Sequence, residues 1–487
     1  ARYMNIFRSV DLNQDFYFSY AYDLTNTLQR NMTCHPAKPP HRNTMFMWNH
    51  HMLSAAFPGL ASDWVLPLVH GFVNQTNLSI LGHDIYLTLI ARRSRHFAGT
   101  RFLKRGVNDQ GYVANDVETE QIVHDTRFTS MHQPGGRPYS NPGYTAYVQH
   151  RGSIPLNWSQ DTSKMVPKPP IHLNVMDPYY SAAGRHFDNM FLRYGAPIIV
   201  LNLVKRREKT RRESILLDEF TRAVEYLNQF LPDGKIKYIA WDMSRAAKGP
   251  NQDVIGKLEQ LGEDALNETG FFHSGPEPNI TRVRREEAGV GVPLHGTGIP
   301  YRRQRGVVRT NCIDCIDRTN AAQFVIGKCA FAHQLYALGI IDRPAMEFDS
   351  DAVDALTELY HDHGNTIALQ YGGSHLVNTV RTYRKLNQWS SQSRDMIEAI
   401  KRYYSNSFVD AEKQGAINLF LGSFLPYHGG PPLWELNTDH HLHNLDPRIR
   451  RKKRRYLQQT SIIVDYEADA FCQLYSVVYA AVDKGRR

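Results

Sequence analysis

The segment Gly306-Val307-Val308-Arg309-Thr310-Asn311-Cys312-Ile313-Asp314-Cys315-Ile316-Asp317-Arg318-Thr319-Asn320 constrains this chain more than any other. A short apolar strand enters it. A helix over Asn320 to Gly339 leaves it, with Ala322, Val325, Ile326, Cys329, Leu335 and Tyr336 on one side and Gly339 to stop it. Between them Cys312 and Arg318 stand as C-x5-R. Five intervening residues can curl until their backbone N–H groups converge ahead of a helix N-terminus, which makes an anion cradle. The helix end and a guanidinium lower the pKa of a thiol placed there, and the thiolate can attack phosphorus in line to give a phosphocysteine. Arg318 then grips two phosphate oxygens as transition-state charge builds. The spacing predicts a cysteine-phosphatase P-loop, with Cys312 as nucleophile and Arg318 as clamp.

Other readings of the same residues stand beside this one. Cys312-x-x-Cys315 also fits a redox pair or half of a zinc site, although the sequence has no second C-x-x-C to complete the zinc ligands. Asp314 and Asp317 would repel a phosphate dianion if both were ionised and turned inward. A leaving alkoxide needs a proton, and a carboxyl beside bound phosphate has a raised pKa. Asp317, next to Arg318, is the candidate acid; the alternative has it capping backbone N–H groups or orienting Arg309. Asp314 reads as structural, and Thr319 is placed to hydrogen-bond the Cys312 sulfur and assist hydrolysis of the intermediate.

The remaining sequence supplies a frame. At 487 residues, 42% hydrophobic and 22% charged, the composition is globular rather than disordered or fibrous. Ala196–Lys205 and Lys235–Met243 read as buried strands, and Glu213–Leu231 between them places apolar residues at helical spacing. That is a strand–helix–strand unit of a parallel or mixed sheet. Further strands are expected at Phe16–Tyr20, Ile85–Ala91 and Thr145–Val148, where poor alternation predicts cover on both faces. A helix is expected over Asp23–Gln29, and loops over Met131–Gly143 and 274–305. The expected fold is α/β, a mixed sheet flanked by helices.

Five cysteines (Cys34, Cys312, Cys315, Cys329 and Cys472) are too few and too uneven for a disulfide framework and favour a reducing compartment. The longest apolar stretches, Ala196–Val204 and Phe471–Val482, fall short of the ~18–20 residues a bilayer crossing needs. The chain opens Ala1-Arg2-Tyr3 without an initiator Met or a signal pattern, and reads as a fragment of a longer protein. Its net charge of +9 favours acidic partners: nucleic acid, anionic lipid or phosphate esters. The charge gathers in Lys205–Arg212, in Arg450–Arg455 and in Arg302, Arg303, Arg305 and Arg309. The two outer runs read as solvated faces, as an address signal, or as surfaces drawn to an anionic bilayer at ~1 kcal/mol per residue. His440, His441, His443, His361 and His363 lack a clear carboxylate arrangement and read as surface histidines, with no metal site expected.

Arg309 to Asn320 resembles the R-x-N-C-x-D-C-L-D-R-T-N signature of Sac-domain phosphoinositide phosphatases, with Ile316 where the pattern usually has Leu. It is also similar to the C-x-D-x-x-D-R-T loop of myotubularin lipid phosphatases, in which the Asp before Arg is a proposed general acid. Phe16–Thr25, Ala98–Gln121, Arg151–Gln160, Phe187–Val204 and Gln370–Gly372 resemble further Sac blocks. Tyr403–Phe408 resembles a stretch that usually carries an Asn pair, of which only Asn406 stands here. The resemblance runs over roughly residues 5 to 425. It implies that Asn311, Arg309, Asp314, Thr319, Arg101 and Arg105 serve substrate binding; for Arg101 and Arg105 a buried ion pair is the alternative. It requires no cofactor for the cysteine chemistry and admits Mg2+.

Phe7–Leu12 and Pro432–Leu436 look most like the subgroup that removes the 5-phosphate of phosphatidylinositol 3,5-bisphosphate. That likeness implies a peripheral place on the cytosolic face of vacuolar or late endosomal membranes. It also implies a complex with a phosphatidylinositol 3-phosphate 5-kinase and a helical-repeat scaffold, and no nucleic-acid partner. A Sac-fold scaffold subunit with little activity is the alternative. The family's catalytic lobe begins here at Phe16, so its N-terminal lobe is expected to be largely missing. Residues 1–422 form the expected phosphatase domain and 423–487 a C-terminal extension with the basic run.

Overall fold

The computed structural model describes residues 2–33, 41–56, 65–128, 143–160, 169–174, 177–232, 235–248, 253–275, 302–378, 410–426, 430–436 and 438–444. Cys34, Cys472, Tyr403–Phe408, Arg450–Arg455, Phe471–Val482 and most of the two expected loops lie outside those residues.

The strands are β1 Phe16–Tyr17, β2 Val69–Ile80, β3 His83–Arg93, β4 Val117–Asp125, β5 Tyr144–Arg151, β6 Trp158–Gln160, β7 Ile171–Leu173, β8 Ile198–Asn202, β9 Ile236–Ala240, β10 Phe272–His273 and β11 Val307–Asn311. The helices are α1 Arg2–Arg8, α2 Leu28–Thr33, α3 His50–Ala56, α4 Ser181–Tyr194, α5 Glu213–Asn228, α6 Met243–Ala246, α7 Val254–Thr269, α8 Asp317–Ala337, α9 Asp351–Gly372, α10 Asp410–Phe420 and α11 His440–His443.

The main sheet runs β1-β2-β3-β4-β5-β11-β8-β9, with β10 also beside β5, and β6 pairs with β7 apart from it. Its first part is an antiparallel meander, with Phe72 opposite Ala91, Leu89 opposite Gln121 and Thr119 opposite Gln149. From β5 onward it turns parallel, with Val308 beside both Gln149 and Ile199, and Val200 beside Tyr238. Parallel neighbours need a crossover, and α5 supplies it between β8 and β9. The sheet is therefore mixed, as the strand–helix–strand pattern predicts.

Alternation along β8 sorts the two layers. Ile198 and Val200 face α4 and α5, packing with Phe187, Leu216, Phe220, Val224 and Leu227. Ile199 and Leu201 face α7, α8 and α9, packing with Leu258, Phe324, Val325, Leu356 and Ile367. Every residue of β4, β8 and β11 is buried, the double cover expected of central strands.

Several local readings differ from the structure: His363, expected at the surface, is fully buried against Phe72 and Tyr360, and the strand expected over Phe16–Tyr20 is confined to Phe16–Tyr17. The strand over Ile85–Ala91 is not covered on both faces throughout. Ile85 and Leu87 are buried but Tyr86 between them is exposed, because the outer end of the β2–β3 hairpin runs beyond the helices that cover its base. Asp23–Gln29 is not a helix: the Asp23 carboxylate accepts from the Thr25 N–H and hydroxyl at 2.9 and 2.6 Å, a side-chain turn that competes with helical bonding, and α2 starts only at Leu28. α8 starts at Asp317 and is buried all round, 17 of its 21 residues being covered, rather than along one stripe. Small residues make that close approach possible; a Cβ on Gly327 would stand 2.4 Å from the Tyr360 hydroxyl of α9.

Candidate active site

β11 delivers the chain to Cys312 from the buried centre of the sheet, and α8 carries it away from Asp317. Gly306 makes the turn into β11 at φ +87°, where a Cβ would meet the Pro197 carbonyl oxygen at 2.1 Å. Between strand and helix, Cys315 takes a left-handed conformation at φ +52°, uncommon outside glycine. That conformation turns its N–H onto the Cys312 sulfur at 3.2 Å, and the Thr319 hydroxyl donates to the same sulfur at 3.5 Å. The first N–H groups of α8 have no intrahelical acceptor, so the sulfur also sits at a positive helix end.

Burial alone would raise the Cys312 pKa. Hydrogen bonding from Cys315, the Arg318 charge and the Thr319 hydroxyl outweigh it and bring the thiol down to about 6. Cys315 is its opposite: burial and the neighbouring sulfur push its thiol well up, and it donates to the Gly152 carbonyl at 3.0 Å. Both are free thiols. A buried sulfur whose pKa is drawn down by one backbone N–H, one hydroxyl and a nearby guanidinium has the chemistry to attack an electrophilic phosphorus.

Arg318 is aimed from elsewhere in the chain. Its guanidinium donates to both carboxylate oxygens of Glu213, at 2.8 and 3.2 Å, and to the Leu203 carbonyl at 2.7 Å. Glu213, the first residue of α5, also accepts from the Lys205 N–H at 3.0 Å. Burial opposes its ionisation, but Arg318 and Lys205 hold its pKa below the usual range.

The other expected residues divide into groups. Asp314 binds Arg101 at 2.7 Å and Arg105 at 2.6 Å, and the two cations overcome its burial to keep it well below the usual carboxylate range. Arg105 is buried and also donates to the Ile313 carbonyl and Gln160, whereas Arg101 keeps 16% of its side chain exposed at the rim. The ion-pair alternative for these arginines is thus present, and Asp314 is their anchor.

Asp317 accepts from the N–H groups of Val377 and Asn378, at 2.7 and 3.2 Å, which is the capping alternative. Arg309 and Asn311, expected at the substrate, instead lie beneath the loop, fully buried. Arg309 donates to His186, Asn311 and the Ser153 carbonyl, and Asn311 donates to Asn202 at 2.7 Å. They fix the end of β11, because a strand buried on both faces leaves its side chains no path to solvent.

Four contributors were not picked out from the sequence: Glu213, the Cys315 N–H, Asn115 and Arg151. Asn115 donates to the carbonyls of Asp314 and Cys315 and holds the loop's curl. Arg151 donates to Asn320 at 3.1 Å from inside the core; burial pulls it down to about 10, still a cation at neutral pH, close enough to act on both cysteines. An acid closing the basic run Lys205–Arg212 was the one sequence signal for Glu213.

The donor set does not suit a resident Mg2+. Asp314 is taken up by two arginines and Asp317 by two backbone N–H groups, and among the described residues no three His, Cys, Asp or Glu side chains gather to hold a metal.

The sequence model of the SacI homology domain matches residues 1–248, ending before Cys312. The polyphosphoinositide phosphatase of Schizosaccharomyces pombe is 55% identical over 424 residues, covering 86% of this chain and 48% of its own length. The phosphatidylinositol-3-phosphatase SAC1 of Arabidopsis thaliana is 41% identical over 489 residues, with 91% and 52% covered. That of Drosophila melanogaster is 30% identical over 431 residues, with 87% and 65% covered. The chain spans about half the length of the first two relatives. With the domain match taking in 248 of 487 residues, the chain belongs to the SacI homology domain family.

Proposed function

We propose that this chain is a phosphoinositide phosphatase that removes the 5-phosphate of phosphatidylinositol 3,5-bisphosphate through a phosphocysteine on Cys312. The observation that carries the reading is the Cys312 thiol, buried yet brought to about 6 by donors that converge on it. The thiolate attacks phosphorus, the P–O bond to the inositol breaks and the leaving oxygen takes a proton from water. A second water then breaks the S–P bond, releasing inorganic phosphate and restoring the thiolate. Arg318, held from behind by Glu213, offers its charge to the equatorial oxygens, and Thr319 steadies the sulfur as it forms and later leaves the phosphoryl group. On this reading Arg101 meets a second phosphate of the ring; its partial exposure and its anchoring by Asp314 support that role.

Choice of the 5-phosphate rests on the likeness of Phe7–Leu12 and Pro432–Leu436 to one subgroup. These segments lie together: Phe7 stacks on Phe420, and Tyr3 of the same helix meets Trp434 at 4.8 Å and accepts from the Leu433 N–H. The relatives' names, polyphosphoinositide phosphatase among them, support the substrate class. Peripheral binding to the cytosolic face of vacuolar or late endosomal membranes belongs to the same reading, as does a complex with a 5-kinase and a helical-repeat scaffold. No described helix is long and apolar enough to cross a membrane.

The test is phosphate release from a panel of phosphoinositides and a phosphotyrosine peptide, with Cys312→Ser as the control. Release from the 3,5-bisphosphate, lost in Cys312→Ser, is the expected result. A folded protein inert on every lipid would leave the scaffold reading, and release from another ring position would overturn the 5-phosphate assignment.

A further inference from the structure

The carboxyl ends of β11, β8 and β9 lie along one edge of the sheet, since the three run parallel. Ligands of open α/β sheets settle along such edges. Cys312 follows β11; Arg206 and Arg207 follow β8; Arg245 follows β9. One buried carboxylate joins the last two segments, because Asp242 accepts from the Arg206 N–H at 2.8 Å and the Arg245 N–H at 2.9 Å. Both arginines, themselves exposed, thereby border one open cavity of about 790 Å³ at the surface, lined also by the exposed Arg207 and Arg222 and by Thr221 and Tyr238.

Charge and partnering favour an anion there. The carboxylate on the cavity wall, Asp218, is paired with Arg211, and Arg222 is 3.4 Å from Glu219. Among the described residues no acceptor engages the Arg206, Arg207 or Arg245 guanidinium. Like charges facing one space repel until an anion enters, and planar guanidinium groups match phosphate oxygens two at a time. The volume lies within the range of small-molecule sites, roughly 300–1,000 Å³.

We infer that this arginine-lined cavity is a second anion site, separate from the Cys312 loop, that seats a phosphorylated inositol headgroup. β9 stands two strands from β11, about 10 Å at ordinary strand spacing, so the seat is distinct from the cradle of the reacting phosphate. The two are joined by polar contacts. Asn202 donates to the Tyr238 hydroxyl at 2.7 Å and accepts from Asn311, the residue before Cys312, also at 2.7 Å. The identity of the anion rests on the phosphoinositide reading; the existence of the seat does not.

The test removes turnover with Cys312→Ser in the full chain, then compares it with the same chain carrying Arg206→Gln, Arg207→Gln and Arg245→Gln. Calorimetry with inositol hexakisphosphate measures a free headgroup; flotation with phosphatidylcholine vesicles, with and without phosphatidylinositol 3-phosphate, measures a lipid-borne one. Two hexakisphosphate sites are expected, one of them lost in the triple variant, with vesicle retention falling about tenfold or more. Loss in the calorimetric arm alone assigns the seat to a free inositol phosphate, and loss on vesicles alone to lipid. Unchanged binding in both arms overturns the inference, as does equal weakening by Lys248→Gln together with Lys237→Gln, exposed cations outside the cavity. Unfolding midpoints exclude misfolding. If the wild-type chain is catalytically inert while the second site still titrates, only the enzymatic reading fails.

Discussion

Burial raises the pKa of a thiol, so the value of about 6 at Cys312 is the work of its neighbours: the Cys315 hydrogen bond, the Arg318 charge and the Thr319 hydroxyl. An ordinary cysteine titrates near pH ~8.5. The sign is direct: the thiolate is the reactive form, and a depressed pKa extends it to lower pH. Alkylation of Cys312 by iodoacetamide, followed by peptide mass, should therefore rise to half its plateau near pH 6, and Thr319→Ala should move the midpoint upward. A midpoint near ~8.5 would remove the basis of the nucleophile assignment. Cys312 and Arg318 were legible because loop chemistry is local. The partners that aim them were not, since Arg151 and Glu213 reach the loop only once the sheet has formed. The Cys315 N–H was hidden for another reason: no residue letter announces a left-handed backbone.

At the scale of elements, apolar spacing located β8 and α5, because a central strand and a core-facing helix write their burial into the sequence. It located β9 too but misjudged its cover, since β9 is the last strand of the sheet and only Ile236 of it is buried. The same spacing misjudged α8, whose polar Gln323, Lys328 and Gln334 are buried beside its alanines. A helix enclosed by a sheet and two other helices is set by the size of its residues more than by their polarity. Gly327 carries this claim. A methyl there would press on Tyr360, whose hydroxyl donates to Gln121 at 3.2 Å and accepts from Gln149 at 3.3 Å. Gly327→Ala should cost about 1–3 kcal/mol in urea unfolding. A neutral result would show that the α8–α9 crossing has slack.

Across the whole molecule, residues far apart in sequence close over the site. Lys104, only 2% exposed, sits between Arg101 and Arg105 in the chain and bonds to Asp439 at 2.6 Å. Asn108 and Asp109 bond to His443 and Asn444. The segment before and along α11 thus braces the loop that presents both arginines to Asp314. Burial opposes ionisation of Asp439, but His443, Lys104 and Asn418 hold its pKa well below the usual range. Its contribution to stability is thus intact at neutral pH and fades only under strong acid. Asp439→Ala leaves Lys104 buried without its anion and should cost about 3 kcal/mol in denaturant unfolding, with a lower kcat as the loop shifts. Full stability in that variant would dismiss the brace.

Glu213 lies 105 residues before the arginine it holds. A synthetic peptide cut from Gly306 to Gly339 would spell the whole signature and still be inert, its guanidinium swinging without a carboxylate to point it. Transplanting the motif into a foreign scaffold would demand grafting an acidic counterpart opposite it as well.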